Sequence, residues 1–421
     1  MDCQAVIPFV SMARNVVPPA WWAARIIQMN GGRYAYQKSV GSRFTAGVFL
    51  ALADDDGVYT LDVQGDQTDF TAEQVEAIKS GNYTEIKKVG CGKLRVTDAG
   101  NETIGSFTGT LRVSEGIWEI AYKGDKAGNT PLGKAGTAQV IVESGATVRT
   151  DVYMHIDHNG YFGGTRIDIA GSGVDGQGAL LLGYRSDDVY KAFYPCSWNI
   201  RLSDDALIAR GAQNAYCAGG GTIDLNGHAL TVSNGFSFMV DGATADRLVS
   251  SGTLVFAGGG VNRPNYLRPM PLADGAEVSV ELTNDASLRI YGSNPPDGQT
   301  VYDCPLRVQD STGAVDALVA VAESAEWRGP VSVRNVLRLG AAKNCMLSVS
   351  GGIAGSGKVV AAGDNVNGVV CLSGPATYDG TAELLTGQLL MMDKDSVPGG
   401  DVSRLKIMNP VSYTHLTLPT N

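Results

Sequence analysis

Twelve residues recur without a gap at two distant places in the chain. Phe107-Thr108-Gly109-Thr110-Leu111-Arg112-Val113-Ser114-Glu115-Gly116-Ile117-Trp118 is matched by Tyr378-Asp379-Gly380-Thr381-Ala382-Glu383-Leu384-Leu385-Thr386-Gly387-Gln388-Leu389. Both copies carry an aromatic, then Gly at +2, Thr at +3, an aliphatic at +6, Gly at +9 and an apolar residue at +11. A glycine–lysine half-motif precedes each: Gly90-Cys91-Gly92-Lys93-Leu94-Arg95-Val96 and Gly355-Ser356-Gly357-Lys358-Val359-Val360. The gap between halves differs, as expected when turns vary and strands do not. Self-similar units of this size cannot bury an apolar face alone, so the recurrence predicts stacking of neighbours.

Between the repeats lie short β-branched runs closed by Asn, Gly, Asp or Ser: Ala138-Gln139-Val140-Ile141-Val142, Thr222-Ile223-Asp224-Leu225, Ala229-Leu230-Thr231-Val232 and Val278-Ser279-Val280-Glu281-Leu282. Short alternating or continuous apolar segments bounded by turn residues read as strands. Glycine supplies 54 of 421 residues, about twice its ordinary share of about 7%. One helix is signalled, near residues 72–80. Thr71 and Gln74 form a capping-box pattern, Phe70 can staple onto Val75, and Gly81 suits the position after the last turn. No second helix is comparably signalled, which argues against alternating βαβ units. The expected fold is mainly β: a right-handed parallel β-helix with coils of about 20–25 residues. A β-sandwich is the rival.

The motif resembles the autotransporter-associated β-strand repeat of large bacterial passenger proteins. The residues that carry the likeness are the two copies above, with Pro131-Leu132-Gly133 leading into Val140-Ile141-Val142-Glu143-Ser144-Gly145-Ala146-Thr147-Val148. Gly220-Gly221-Thr222-Ile223-Asp224-Leu225-Asn226-Gly227-His228-Ala229-Leu230-Thr231-Val232 and Ser251-Gly252-Thr253-Leu254-Val255-Phe256 read as further rungs. The resemblance implies a secreted or surface-displayed β-solenoid, associated with the outer membrane. It implies no activity, because its positions are structural.

Three segments are expected: residues 1–87 of unassigned fold with the short helix, a repeat region over 88–410, and a tail at 411–421. Val411-Ser412-Tyr413-Thr414-His415-Leu416-Thr417-Leu418-Pro419-Thr420 resembles the conceptual translation of a transposon-end sequencing adapter. The tail is therefore expected to be non-native, with the natural protein continuing past about residue 410. Asp2 and the proline-broken run Ala5-Val6-Ile7-Pro8-Phe9-Val10 do not make a signal peptide.

The formal charge of −10 and a pI near 5.0 leave no basic face for phosphate backbones, so nucleic acid is excluded as a partner. Hydrophobic residues at 44% and charged residues at 18% exclude a mainly disordered chain. No run reaches the ~18 apolar residues of a membrane-spanning helix.

Candidate chemistry is sparse. In Met154-His155-Ile156-Asp157-His158, a strand would put His155 and Asp157 on one face and His158 on the other, leaving too few ligands for a metal. Asp54-Asp55-Asp56-Gly57 fails the calcium-loop spacing in every register. Asp187-Asp188 and Asp204-Asp205 are the places where a polysaccharide lyase or hydrolase would keep its acids. Adjacent acids on a strand point to opposite faces, so neither pair supplies the required geometry alone, and both pairs read as surface turns. Gly171-Ser172-Gly173-Val174-Asp175-Gly176-Gln177-Gly178 lacks the Lys-Ser/Thr of a phosphate loop and reads as a turn. The seven cysteines, Cys3, Cys91, Cys196, Cys217, Cys304, Cys345 and Cys371, form no C-x-x-C and are expected as single buried thiols. No catalytic, cofactor-binding or metal-binding residues, and no cofactor, are expected. The expected role is structural display at the cell surface, with surface glycans or other surface proteins as partners. The alternatives are a glycan-binding adhesin, using aromatics such as Tyr184, Tyr190, Tyr194 and Trp198, or a carbohydrate-active enzyme.

Overall fold

The computed structural model describes residues 37–408 with breaks, the longest at 70–77, 97–104, 121–128, 151–164, 183–192, 239–246 and 292–300; side chains are described from residue 57 onward. It is a parallel β-solenoid. Each coil runs along up to three sides, and every side is a ladder of short parallel strands.

On the first side, Val58–Val63, Glu85–Val89, Thr110–Val113, Gln139–Val142 and Arg166–Gly171 pair in parallel, one coil on the next. On the second, Lys93–Val96, Ile117–Ile120, Thr147–Thr150 and Leu180–Leu182 do the same. The long strand Asn199–Arg210 stacks on both sides and merges them into one 21-stranded sheet. The third side is a separate 10-stranded ladder from Phe193–Pro195 to Leu405–Ile407. After the break at 292–300, a 5-stranded ladder from Val301–Tyr302 to Gln388–Met391 takes the first place in each coil. Side-chain bonds between successive coils commonly join residues 22 to 27 apart, close to the expected coil length.

Strand alternation explains what lies inside. Period-2 chains send every second side chain inward, and register aligns those residues from coil to coil. The longest inner column runs Leu94, Trp118, Val148, Leu180, Ile208, Val232, Phe256, Leu282, Val308 and Val333. None of these is more than 2% exposed. On the third side Leu288, Leu318, Leu339, Ala361 and Leu384 form another.

The two sequence copies occupy different sides. Val113 points inward on the first side and Leu384 inward on the third. What they share is a corner. In each, a strand ends, a glycine in the left-handed region turns the chain (Gly116, φ 64°; Gly387, φ 78°), and the next strand starts at once. A side chain at such φ is strained, so glycine is the residue the turn requires.

The parallel stack already includes Val58–Val63, upstream of residue 88. That first strand is flanked on its other edge by the antiparallel strand Arg43–Ala53, itself paired with Gln37–Val40. This covers an edge that would otherwise offer free backbone groups. The expected helix at 72–80 falls largely outside the described residues; Ile78 is helical and buried within the core. Residues 409–421 lie outside them altogether.

Two core substitutions separate column packing from polar satisfaction. Trp118→Ala empties one of the two largest fully buried positions and is expected to cost about 3–5 kcal/mol. Tyr378 is 1% exposed and its hydroxyl has no hydrogen-bond partner among the described residues. Tyr378→Phe is therefore expected to leave stability unchanged or raise it by about 1 kcal/mol. Chemical denaturation of both variants checks the contrast; a large loss from Tyr378→Phe would contradict it.

Candidate functional site

Three polar clusters stand out against the apolar columns. The first is at the corner that holds the Asp204-Asp205 pair. Ser203, Asp204 and Asp205 are all exposed, because the alternation of Asn199–Arg210 breaks where the strand passes from one side to the next. Asp204 and Asp205 thus sit on an exposed corner, in keeping with a surface turn, and strand alternation does not apply to them there. Both reach toward His228 of the next coil, with Nδ1 at 3.8 and 3.7 Å from their Oδ1 atoms. The three offer ligand atoms within 4.8 Å of one another. However, the oxygens already serve the backbone. Asp204 Oδ1 accepts from the Asp205 amide at 2.8 Å, and Asp205 Oδ1 from the Ala229 amide at 2.8 Å. The aspartate side chains are 70% and 74% exposed. Acids this close leave no room for a sugar ring between them. The cluster caps a corner. Its histidine was missed because one coil separates it from the acids in sequence.

The second cluster is buried. The inner column Leu61, Lys88, Val113, Val142, Ile169 places a lysine where aliphatics belong. Lys88 is fully buried. Its Nζ donates to the carbonyls of Gly90 at 2.5 Å, Gly92 at 2.6 Å and Glu115 at 2.6 Å. All three ammonium donors are thus occupied. The Glu115 carboxylate accepts from the Gly90 amide at 2.9 Å, tying the same two corners. A Cβ added at Gly116 would strike Gly92 O, Gly90 O and the Lys88 ammonium. The corner glycine and the buried lysine therefore require each other. Burial pushes the Lys88 ammonium down to about 7, against the pull of Glu115 and Asp62.

The third cluster surrounds Glu119, whose side chain is 2% exposed. Its carboxylate accepts from Arg149 Nε at 2.7 Å and also contacts Arg149 Nη2. Lys93 lies 3.5 Å away and Arg95 3.7 Å. These residues come from three successive coils. On the first side, Arg112 likewise pairs with Glu85 and Glu143 at 2.9 Å each, again crossing three coils. Removing one partner of the buried Glu119–Arg149 pair strands the other charge, so that pair locks coil spacing, while the partly exposed Arg112 pairs contribute less. None faces a cleft.

The glycine-rich segment at 171–178 is a turn, as expected. It is braced by Thr147, whose Oγ1 donates to Gly178 O and accepts from the Val174 amide. Cys304 and Cys371 are free thiols, and Cys345 and Cys371 are buried. Burial pushes the Cys304 thiol up to about 12 and raises Cys371 as well. Cys91 is disulfide-bonded, which departs from the expected single thiol. His155, Asp157, His158, Asp54–Asp56, Asp187, Asp188, Tyr184, Tyr190 and Trp198 lie outside the described residues, as do the side chains of Tyr194, Cys3, Cys196 and Cys217.

No protein-family model, no curated protein and no solved structure matches the chain.

The lysine cage makes a signed prediction. Its folded value lies below the unfolded 10.5, so between about pH 7 and 10.5 the unfolded chain binds the extra proton, and stability rises with pH. Below about pH 7 both states are protonated and the dependence vanishes. The stability of the native chain minus that of Lys88→Met should therefore climb from pH 7 to pH 10 in thermal melts. A flat difference would refute the assignment. Separately, Gly116→Ala should lose about 1–2 kcal/mol from its left-handed backbone alone, with a further loss from collision with the cage.

Proposed function

We propose that this chain is a structural passenger of the autotransporter-associated type, a stiff acidic rod displayed at the bacterial cell surface and carrying no catalytic centre. The observation that carries this reading is the unbroken inner column from Leu94 to Val333. Cohesion comes from coil stacking, reinforced by ion pairs that cross from coil to coil around Glu119 and Arg112. The corner acids Asp204 and Asp205 are used as backbone acceptors. The repeat motif, the surplus of negative charge and the strand-corner-strand units support the same reading. None of the described helices is long and apolar enough to cross a membrane, which says nothing of β-barrels.

Display is tested by placing the chain behind an export signal and ahead of an outer-membrane β-barrel in a Gram-negative host. The chain should reach the surface and leave a protease-resistant core from about residue 58 to 408. Retention inside the cell would overturn the reading. The purified chain should release no reducing ends from acidic or neutral polysaccharides. Release that disappears with Asp204→Asn would replace display with a carbohydrate-active enzyme.

A further inference from the structure

The third side carries an aromatic and cationic platform that neither the repeat motif nor the display role requires. Asn265–Leu267 and Leu288–Tyr291 are neighbours there, with Tyr266 opposite Arg289. Asn265, Leu267, Leu288 and Ile290 point inward and are buried. Alternation therefore turns Tyr266, Arg289 and Tyr291 outward, each partly exposed. The two tyrosine rings lie 6.0 Å apart at 40°. The Arg289 guanidinium sits 5.7 Å from the Tyr266 ring centre, and its Nη1 donates to the Tyr266 hydroxyl at 3.3 Å. Arg289 forms no ion pair among the described residues, although the chain bears a charge of −10.

The platform is held from within. The Tyr302 hydroxyl lies 3.0 Å from the Leu267 carbonyl and 3.1 Å from the Tyr291 carbonyl, so one buried group ties both platform strands. The Tyr302 ring stacks on Trp327 at 5.3 Å and 1°, and Trp327 Nε1 donates to the Cys304 carbonyl at 3.0 Å. Asn265 Nδ2 donates to the Gly258 carbonyl at 2.9 Å. Surfaces fixed before binding lose little entropy on binding.

We infer that Tyr266, Arg289 and Tyr291 form a binding site for a saccharide carrying a carboxylate. The apolar C–H face of a pyranose ring lies flat on a tyrosine ring, while the phenol hydroxyls meet sugar hydroxyls. A guanidinium offers parallel donors matched to a carboxylate. Neutral sugars would use the tyrosines alone. The overall negative charge works against non-specific capture of polyanions, so any preference for the acid must come from this spot.

The inference is independent of surface display, since binding is measured on the purified full chain and export is measured in cells. The probes are an oligogalacturonate and its fully methyl-esterified form, which carries neutral methyl esters in place of the carboxylates, titrated by calorimetry or NMR. The acid should saturate with a Kd on the order of 1 mM or tighter, and the ester should bind roughly tenfold more weakly. Tyr266→Ala should weaken both about tenfold, with Tyr266→Phe largely restoring them. Arg289→Gln should abolish the preference for the acid and leave ester binding in place. Arg334→Gln, exposed and elsewhere on the coil, is the control and should change nothing; far-UV circular dichroism checks that each variant folds. Absence of saturable binding by either probe, equal affinity for acid and ester, or binding untouched by Tyr266→Ala and Arg289→Gln would overturn the site.

Discussion

Everything in this molecule depends on one strand lying in register on its equivalent in the next coil. Parallel pairing fixes the spacing at about 4.8 Å, and that spacing turns isolated apolar residues into continuous columns. No coil has a core of its own. Phe256 is buried because Val232 and Leu282 lie directly beside it on adjacent coils. The same spacing governs charge. Arg112 reaches Glu85 and Glu143 because successive coils bring them within one side chain's length.

Lys88 shows how strongly the register constrains the chain. An inner position accepts a charged residue only if every donor finds an acceptor in the dry interior. The corners supply them: the carbonyls of Gly90, Gly92 and Glu115 all turn toward the ammonium. The lysine then acts as an internal cross-link between two coils, at a place where the other residues of the column contribute by packing alone.

The solenoid was legible in the sequence because strands and corners leave local traces. β-branched runs, glycines at corners and the twelve-residue recurrence all act over a few residues, and each marks a strand or a turn. Interactions between coils leave no such trace. His228 joins Asp204 and Asp205 only through stacking, and Tyr266 meets Arg289 only through register. Asp204 and Asp205 were legible as surface residues, but the alternation rule that orders a strand does not hold at their corner. Lys88 gave no signal either; Glu85-Ile86-Lys87-Lys88-Val89 reads as an ordinary polar edge until Leu61 and Val113 are seen on either side.

The two copies of the twelve-residue motif sit on different sides of the coil, one leading from the first side to the second and the other leaving the third. A strand, its bend and the following strand thus behave as an interchangeable tile. Growth of such a chain by duplication need not copy a full circuit: two strands and the bend between them, about half a coil, suffice, provided the bend keeps its glycine. Side loops can then lengthen freely between tiles, which leaves the outer surface open to variation while the interior stays the same.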